Sequence, residues 1–265
     1  MAQSIKISSI GRGVPIVLLH GWGLNSGVFA SLAHKLAEQF KVISVDLPGY
    51  GDNVDVMPDD YNLAGVAKLV TEAVTEPAVY LGWSLGGLVA TQIARTSPQH
   101  KILGLVHVAT SPYFVQSADW PGIKPELLAT FHQQLSKDIG KTLSGFLKIQ
   151  AMGSSHIKDD IRQIQSLVMA KPLPNKFALE KGLEILANAD TRAELAEITL
   201  PFLRIYGNMD SLVPKKVINF VNELSPNSEL VVFDKASHAP FISNFQLFVE
   251  QLSAWLGDNL VSGNG

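Results

Sequence analysis

Residues 82–87 read Gly-Trp-Ser-Leu-Gly-Gly, directly after the apolar run Ala-Val-Tyr-Leu at 78–81 and before a helical pattern. This is a GxSxG turn between a buried strand and a helix. A serine on so tight a turn projects its hydroxyl out of the backbone, and the flanking glycines leave room for the strained geometry. The following helix directs free N–H groups and partial positive charge at the same place. We therefore expect Ser84 to be an exposed nucleophile.

The length suits one large α/β domain or two small ones, and the composition suits a globular protein with a sizeable core. The chain has 265 residues, of which 46% are hydrophobic and 17% charged. Its net charge of −3 gives no reason to expect nucleic acid or a membrane surface as a partner. No cysteine occurs, which removes disulfides, thiolate nucleophiles and sulfur-ligated metals. Neither a basic leader followed by apolar residues nor an apolar stretch of about 18 residues is present, so we expect a cytoplasmic protein. We also expect a monomer.

Short β-branched runs alternate with longer helical patterns through the first 110 residues, which predicts βαβ units and a mostly parallel sheet. Strands are predicted at 15–20, 41–46, 78–82, 102–109, 201–207 and 229–233. Helices are predicted at 28–39, 63–74, 85–97, 214–224 and 245–256.

The region from Pro112 to Ile198 has no convincing strand, carries Gln, Lys and Leu at helical spacing, and is punctuated by prolines. We interpret it as a helical insertion, which forms a lid over the carboxyl ends of the strands, where ligands bind in open α/β sheets. The predicted organisation is a core in two parts, 1–111 and 199–260, a lid at 112–198, and a flexible tail at 261–265.

A serine hydroxyl is a weak nucleophile, so Ser84 needs a general base within hydrogen-bond reach and a group that orients the base. His238 follows the last predicted strand, in Ala-Ser-His-Ala-Pro-Phe at 236–241. Asp210 follows the preceding strand, in Tyr-Gly-Asn-Met-Asp at 206–210. The chain order Ser, Asp, His is one in which such triads occur. We therefore predict that Ser84, Asp210 and His238 form a catalytic triad.

Other residues could take these roles. Asp190 lies in the helical insertion and Asp234 lies only four residues before His238, so both are weaker candidates than Asp210. The remaining candidates for the base are interpreted as surface or packed residues: His34, His100, His107, His132 and His156.

Acyl transfer also needs donors for an oxyanion. His-Gly-Trp-Gly at 20–23 directly follows a predicted strand and is typical of the loop that supplies one backbone N–H, here from Trp22. The residue after the nucleophile supplies the other, here Leu85. Alone the loop could be an ordinary glycine-rich turn, but together with the GxSxG turn it favours an oxyanion hole.

These residues resemble the α/β-hydrolase superfamily over essentially the whole chain, and Asp-Leu-Pro-Gly-Tyr-Gly at 46–51 matches a turn common in its members. The resemblance implies the α/β-hydrolase fold, with helices on both faces of the sheet and a helical lid. Within the superfamily, segments 82–90, 120–125, 182–186 and 238–243 are similar to the carboxylesterases of biotin synthesis.

That resemblance implies a serine carboxylesterase that hydrolyses the methyl ester of a pimeloyl chain on acyl-carrier protein. Methanol is released, and neither a metal nor a cofactor is needed. Trp22, Leu85, Phe146, Leu147 and Gln150 are implied to bind the substrate. From apolar spacing alone, the lid residues among them could equally be ordinary packing.

The resemblance further implies that Lys141, Lys158 and Arg162 dock the acidic carrier protein. Gly145 stands where the family leads us to expect arginine, so the docking patch is expected to be weaker or arranged differently. Without the resemblance, these cations would be interpreted as a solvated helix face.

Three other functions stay open at this point. A generic short-chain carboxylesterase and a carbon-carbon bond hydrolase use the same triad order in the same fold. A ligand sensor on a hydrolase scaffold can keep the triad and signal through its lid, since fold alone does not fix function.

Overall fold

A sheet of seven strands runs through the centre of the structure, a computed structural model that describes residues 4–152 and 156–260. Its order is β1-β3-β2-β4-β5-β6-β7, and all neighbours are parallel except β1 with β3. The strands are β1 (Ile7–Gly11), β2 (Pro15–Leu19), β3 (Lys41–Val45), β4 (Ala78–Trp83), β5 (Ile102–Val108), β6 (Phe202–Gly207) and β7 (Glu229–Phe233).

Helices cover both faces of the sheet because successive strand residues point to opposite sides. Along β2, Val17 and Leu19 enter one apolar cluster, whereas Ile16 and Leu18 enter a second cluster on the other face. The helices of the core are α1 (Ala30–Leu36), α2 (Leu63–Ala73), α3 (Leu85–Thr96), α9 (Val217–Leu224), α10 (Pro240–Ser243) and α11 (Phe245–Leu260). Residues of α2 and α3 lie in the first cluster, and residues of α1 and α11 in the second.

The chain between β5 and β6 is helical in its described part. Its helices are α4 (Pro125–Lys137), α5 (Ile139–Ala151), α6 (Ile157–Val168), α7 (Lys176–Asn188) and α8 (Arg192–Ala196). Pro125 occupies the first turn of α4, where its missing N–H leaves no helical bond unmade. The side chain of Asp138 caps α5 by accepting from the Lys141 N–H, and Asn175 caps α7 in the same manner at Phe177.

The predicted α/β class is confirmed, but several element bounds were wrong. Strand β1 was not predicted, because as an edge strand it is exposed along its whole length and shows no buried alternating face. The helix predicted at 28–39 is instead a 3-10 turn at Ser26–Phe29 followed by α1. The helix predicted at 214–224 begins at Val217, and α11 continues to Leu260.

The tail at 261–265 lies outside the described residues. Among the helices of the described part, none combines the length and apolarity that crossing a membrane requires.

Candidate active site

The turn between β4 and α3 holds Ser84 in a conformation that L-residues rarely adopt, with φ of 56° and ψ of −119°. Both flanking glycines are required by space. A Cβ at Gly82 would lie 2.3 Å from the Gly86 carbonyl oxygen, and one at Gly86 would lie 2.2 Å from the Leu19 oxygen. The Ser84 N–H donates to the Val108 oxygen at 3.0 Å, which ties the turn to β5.

Ser84 is buried, with 2% of its surface exposed, so the prediction of an exposed serine was wrong. The loop after β2 passes directly over it. A Cβ at Gly21 would lie 3.3 Å from the Ser84 Cβ. The backbone at Gly21 therefore helps to bury the Ser84 side chain, and the local sequence pattern did not predict this contact.

His238 and Asp210 form a buried pair at the carboxyl ends of β7 and β6. His238 Nδ1 lies 2.7 Å from Asp210 Oδ2. The other carboxylate oxygen, Oδ1, accepts from the N–H groups of Leu212 at 2.8 Å and Val213 at 3.0 Å. His238 Nε2 is buried and has no hydrogen-bond partner among the described residues. The imidazole thus has one nitrogen fixed by a carboxylate and one available for chemistry.

The residue before the serine connects the turn to this pair. Trp83 donates its indole N–H to the His238 carbonyl oxygen at 2.7 Å, and the two rings lie 5.7 Å apart. The structure therefore places the turn that carries Ser84 against His238, although no hydrogen bond joins the Ser84 hydroxyl to His238 Nε2 in the described residues. Sequence reasoning missed Trp83, although a bulky indole inside a turn of small residues is a visible signal.

The competing aspartates do not reach His238. Asp190 forms an ion pair with Arg192 at 2.6 Å, and Asp234 is exposed. Of the other histidines, His107 is packed against Phe202, and burial, aided by the charge of Arg204, lowers the pKa of His107 to about 3. His20 is buried, and four further histidines are on the surface: His34, His100, His132 and His156.

The two predicted oxyanion donors belong to the loop and the helix that meet at Ser84. Leu85 is the first residue of α3, where backbone N–H groups have no partner within the helix. Trp22 follows Gly21 in the loop and is fully buried, and its indole N–H donates to the Leu179 oxygen of α7 at 2.8 Å.

Residues of α5 also reach the site. The ring of Phe146 lies edge-on to Trp22, with 4.8 Å between centroids. The Gln150 carbonyl oxygen accepts from the His238 N–H at 3.2 Å. Both polar atoms of the Gln150 side-chain amide are buried and have no hydrogen-bond partner within residues 4–152 and 156–260. Leu147 is buried in the apolar cluster that contains Trp83. An unpaired buried amide is rare in native proteins and is expected where a ligand supplies the missing bonds.

The cations predicted to dock the carrier protein lie on the exposed surface of α5 and α6. Lys141 is exposed near the start of α5, and Lys158 and Arg162 are exposed on α6. Arg162 is 3.4 Å from Asp159, so part of its charge is offset. Gly145 leaves an open position on α5, where a Cβ would meet no atom closer than 3.9 Å.

No grouping of three or more His, Cys, Asp or Glu side chains fit to hold a metal ion occurs in residues 4–152 and 156–260. The buried serine turn, the imidazole-carboxylate pair and the two N–H donors can together perform acyl transfer with water as the second substrate.

The fold and this site are those of a hydrolase: residues 14–245 match the α/β hydrolase fold, and the chain belongs to this family. Over 255 residues it is 45% identical to the pimeloyl-acyl-carrier-protein methyl ester esterase of Aeromonas salmonicida (strain A449), covering 96% of this chain and 100% of the relative. It is 47% identical over 247 residues to the Klebsiella pneumoniae (strain 342) protein of the same name, covering 93% and 95%.

A solved structure agrees with this assignment. The esterase EaEST from Exiguobacterium antarcticum superposes with a TM-score of 0.85 at 25% identity, covering 95% of this chain and 94% of the esterase. The resemblance predicted from the sequence is confirmed, both for the superfamily and for the esterases named for the pimeloyl-acyl-carrier-protein methyl ester.

Proposed function

We propose that this chain is a serine carboxylesterase that hydrolyses the methyl ester of pimeloyl-acyl-carrier protein, giving pimeloyl-acyl-carrier protein and methanol for biotin precursor synthesis. The chemistry rests on one observation above all. The His238–Asp210 pair is buried beside the strained Ser84 turn, and His238 Nε2 has no partner in the described residues. The substrate rests on the names of relatives that match the chain through the whole 112–198 region.

In the proposed mechanism, Ser84 Oγ attacks the methyl ester carbonyl while His238 Nε2 accepts the hydroxyl proton. Asp210 orients the ring through Nδ1–H and stabilises the imidazolium. The N–H groups of Trp22 and Leu85 bind the oxyanion of the tetrahedral intermediate. The bond from carbonyl carbon to methoxy oxygen then breaks, and methanol leaves with the proton from His238.

Water completes the reaction. His238 removes a proton from a water molecule, the resulting hydroxide attacks the acyl-Ser84 ester, and Ser84 leaves with the proton returned by His238. The product carries a free carboxylate at the end that bore the methyl group. The proposed reaction uses no cofactor and no metal.

We assign the substrate contacts to the residues around Trp22. Phe146 and Leu147 present apolar side chains of α5 for the acyl chain, and the ring of Phe146 lies against Trp22. Leu85 is assigned to the same set as the residue that follows the nucleophile. The side-chain amide of Gln150 has no partner in the part of the chain that the structure describes, so it can both donate to and accept from a polar part of the substrate.

We propose that residues 112–198 form a lid on a core built from 1–111 and 199–260. Support comes from contacts between the two parts. Besides the Trp22–Leu179 bond, the Asn25 side chain donates to the Val168 oxygen at 2.9 Å, and the Asn175 N–H donates to the Gly49 oxygen at 2.8 Å.

The carrier protein is proposed to dock on the exposed cations Lys141, Lys158 and Arg162, with attraction between this patch and an acidic partner. Because Gly145 lies four residues after Lys141 on α5, one helical turn away, Gly145→Arg is expected to tighten carrier binding at low salt. The protein is proposed to be a cytoplasmic monomer. Neither nucleic acid nor a membrane is a proposed partner.

The test compares kcat/KM for three esters: pimeloyl methyl ester on carrier protein, the same ester free, and a short p-nitrophenyl ester. We expect the carrier-bound ester to be preferred. A preference for the aryl ester would favour a generic esterase, and cleavage of a carbon-carbon bond substrate with no ester turnover would favour that hydrolase.

A growth assay separates the remaining alternatives. We expect the chain to restore growth without biotin to a strain that lacks its own esterase. Soluble expression without rescue would contradict the biotin assignment. Single-turnover hydrolysis with partner binding that depends on the lid would support the ligand sensor instead.

A further inference from the structure

His20 is buried at the start of the loop that carries Trp22, and both of its ring nitrogens are engaged. Nδ1 lies 2.8 Å from the Gly21 carbonyl oxygen. Nε2 lies 3.0 Å from the backbone nitrogen of Leu47. Neither nitrogen takes part in the proposed proton transfers, so the mechanism leaves this buried histidine without a role.

The two partners determine the tautomer. The Leu47 N–H can only donate, so Nε2 accepts, and Nδ1 therefore carries the proton and donates to the Gly21 oxygen. Burial lowers the pKa of His20 although Asp46 opposes the shift, so the ring is neutral. A neutral ring with one donor and one acceptor matches its two partners.

The Gly21 carbonyl and the Trp22 N–H belong to one peptide unit, which is planar and trans. A hydrogen bond on the oxygen therefore sets the rotation of the whole plane, and with it the direction of the N–H. It also polarises the group, which strengthens the N–H as a donor in a low-dielectric site.

Further contacts hold both ends of this arrangement. The His20 ring lies edge-on to Tyr50, with 5.2 Å between centroids. On the far side, the Trp22 indole is bonded to Leu179. The peptide unit between the two side chains has little freedom to turn.

We infer that His20 is a positioning residue for the oxyanion hole: through the Gly21 carbonyl it fixes and polarises the peptide unit whose N–H, on Trp22, binds the oxyanion. The inference rests on the proposed function. His20 touches neither the substrate nor the nucleophile in this role, and it acts through the backbone.

A matched pair of substitutions separates the two hydrogen bonds. The amide nitrogen of asparagine can occupy the place of Nδ1, so His20→Asn keeps a donor for the Gly21 oxygen and loses the acceptor for Leu47. The amide oxygen of glutamine can occupy the place of Nε2, so His20→Gln keeps that acceptor and loses the donor.

Three quantities are measured for each variant: kcat, KM, and the inhibition constant of a trifluoromethyl ketone analogue of the pimeloyl chain, which forms a tetrahedral adduct with an oxyanion. Removing a whole oxyanion donor lowers the rate about 10²- to 10³-fold. For His20→Gln we expect about a 10- to 100-fold loss in kcat and a parallel weakening of the ketone, with KM little changed. His20→Asn should stay within about threefold of wild type in both quantities, because it keeps the donor on which the effect depends.

A merely structural histidine would give a different result. Losses in kcat that are equal in both variants, with unchanged ketone affinity relative to KM, would overturn the inference. His107→Asn is the control, because His107 is also buried but its Nε2 forms a hydrogen bond with the Thr91 hydroxyl of α3 and not with the loop at 20–23. It is expected to lower the melting temperature without weakening the ketone.

Two measurements keep the inference separate from the proposed function. Ser84→Ala is assayed in parallel. An active Ser84→Ala would overturn the proposed function itself. An inactive Ser84→Ala together with a His20→Gln variant of normal kcat and ketone affinity would overturn the inference alone. If neither His20 variant folds, ring ¹⁵N shifts of wild-type protein decide: protonated Nδ1 supports the inference, and protonated Nε2 overturns it.

Discussion

Asp210 holds His238 through a 2.7 Å hydrogen bond from Nδ1 to Oδ2, and both side chains are withdrawn from solvent. The carboxylate is itself fixed by the backbone N–H groups of Leu212 and Val213. Three hydrogen bonds thus satisfy a buried anion whose isolated burial would be strongly unfavourable. The relationship selects one tautomer of His238, with the proton on Nδ1 and a lone pair on Nε2.

We expect Asp210→Asn to lower kcat about 10⁴-fold, since an amide in this place favours the wrong imidazole tautomer while preserving side-chain volume. The measurement is turnover of a p-nitrophenyl ester, with circular dichroism to verify folding. Asp190→Asn is the matched control because Asp190 is exposed and pairs with Arg192. More than a tenth of wild-type kcat in Asp210→Asn would exclude this role.

The strained backbone at Ser84 gives a second prediction. Ser84→Gly and Ser84→Ala both remove the hydroxyl, but glycine adopts the φ of 56° without the strain that a Cβ introduces. Such strain costs about 1–3 kcal/mol, and the greater entropy of glycine in the unfolded state cancels part of it. The free energy of unfolding of Ser84→Gly should therefore exceed that of Ser84→Ala by about 1 kcal/mol. Denaturant titration measures this difference, and a more stable Ser84→Ala would contradict it.

Alanine substitutions at two glycines inside helices are expected to change the stability of the protein in opposite directions. A Cβ at Gly182 in α7 would lie 2.6 Å from Trp22 Cδ1 and 3.0 Å from the Tyr50 hydroxyl oxygen. Gly182→Ala should therefore lower stability by about 1–3 kcal/mol through overpacking, and lower kcat by displacing Trp22.

The control is Gly145→Ala in α5, where the nearest atom, on Phe131, would be 3.9 Å from the Cβ. Helix propensity should then raise stability by about 0.5–1 kcal/mol. Thermal unfolding and turnover of both variants are the measurements. Equal stabilisation of the two proteins would show that α7 does not pack against Trp22 as described.

Lys171 links the chain between α6 and α7 to the core. Its ammonium lies 2.7 Å from Asp46 Oδ2, 2.6 Å from Asp52 Oδ2 and 3.1 Å from Ser26 Oγ. Burial alone would raise the pKa of Asp46, but the Lys171 hydrogen bond and the backbone donors Asp52 and Ser26 help to lower it. Burial alone would lower the pKa of Lys171, and its two carboxylate partners raise it instead.

Lys171→Met is expected to lower the free energy of unfolding by about 1.5–3 kcal/mol at pH 7, the usual worth of hydrogen bonds to charged groups. A depressed carboxyl pKa gives stability that is present above the unfolded value of about 3.9 and is lost as pH falls through the folded value. A raised lysine pKa gives stability that is present below about 10.4 and is lost above the folded value.

The difference between wild type and Lys171→Met should therefore stay constant between about pH 5 and 9 and shrink below about pH 4. Urea unfolding across this range is the measurement. Lys68→Met removes an exposed pair with Glu72 at 3.8 Å and should change stability by less than about 1 kcal/mol. A difference at pH 3 as large as that at pH 7 would contradict the assigned ion pairs.

Sequence reasoning reached the elements whose signals are local. The turn around Ser84 and the positions of Asp210 and His238 after strands follow from short motifs and chain order, and the structure places the latter two in contact. The strand β1 gave no such signal. Ile7 and Ile10 are 39% and 38% exposed, so the strand lacks the buried face on which recognition of a strand depends.

Local sequence patterns could not predict contacts between distant parts of the chain. The approach of Gly21 to Ser84 buries the serine, and Lys171 pairs with Asp46 across 125 positions. The role of Trp83 beside His238 is of the same kind. Each depends on how helices and loops pack in three dimensions, which periodicity and spacing do not specify.

The most direct test of the proposed chemistry is methanol release from pimeloyl-acyl-carrier-protein methyl ester by wild-type protein and by Ser84→Ala. We expect the wild type to release methanol with multiple turnovers and Ser84→Ala to be slower by roughly 10⁶-fold, the scale on which loss of a triad nucleophile acts. Retention of most of the wild-type rate by Ser84→Ala would contradict the assignment of Ser84 as the nucleophile.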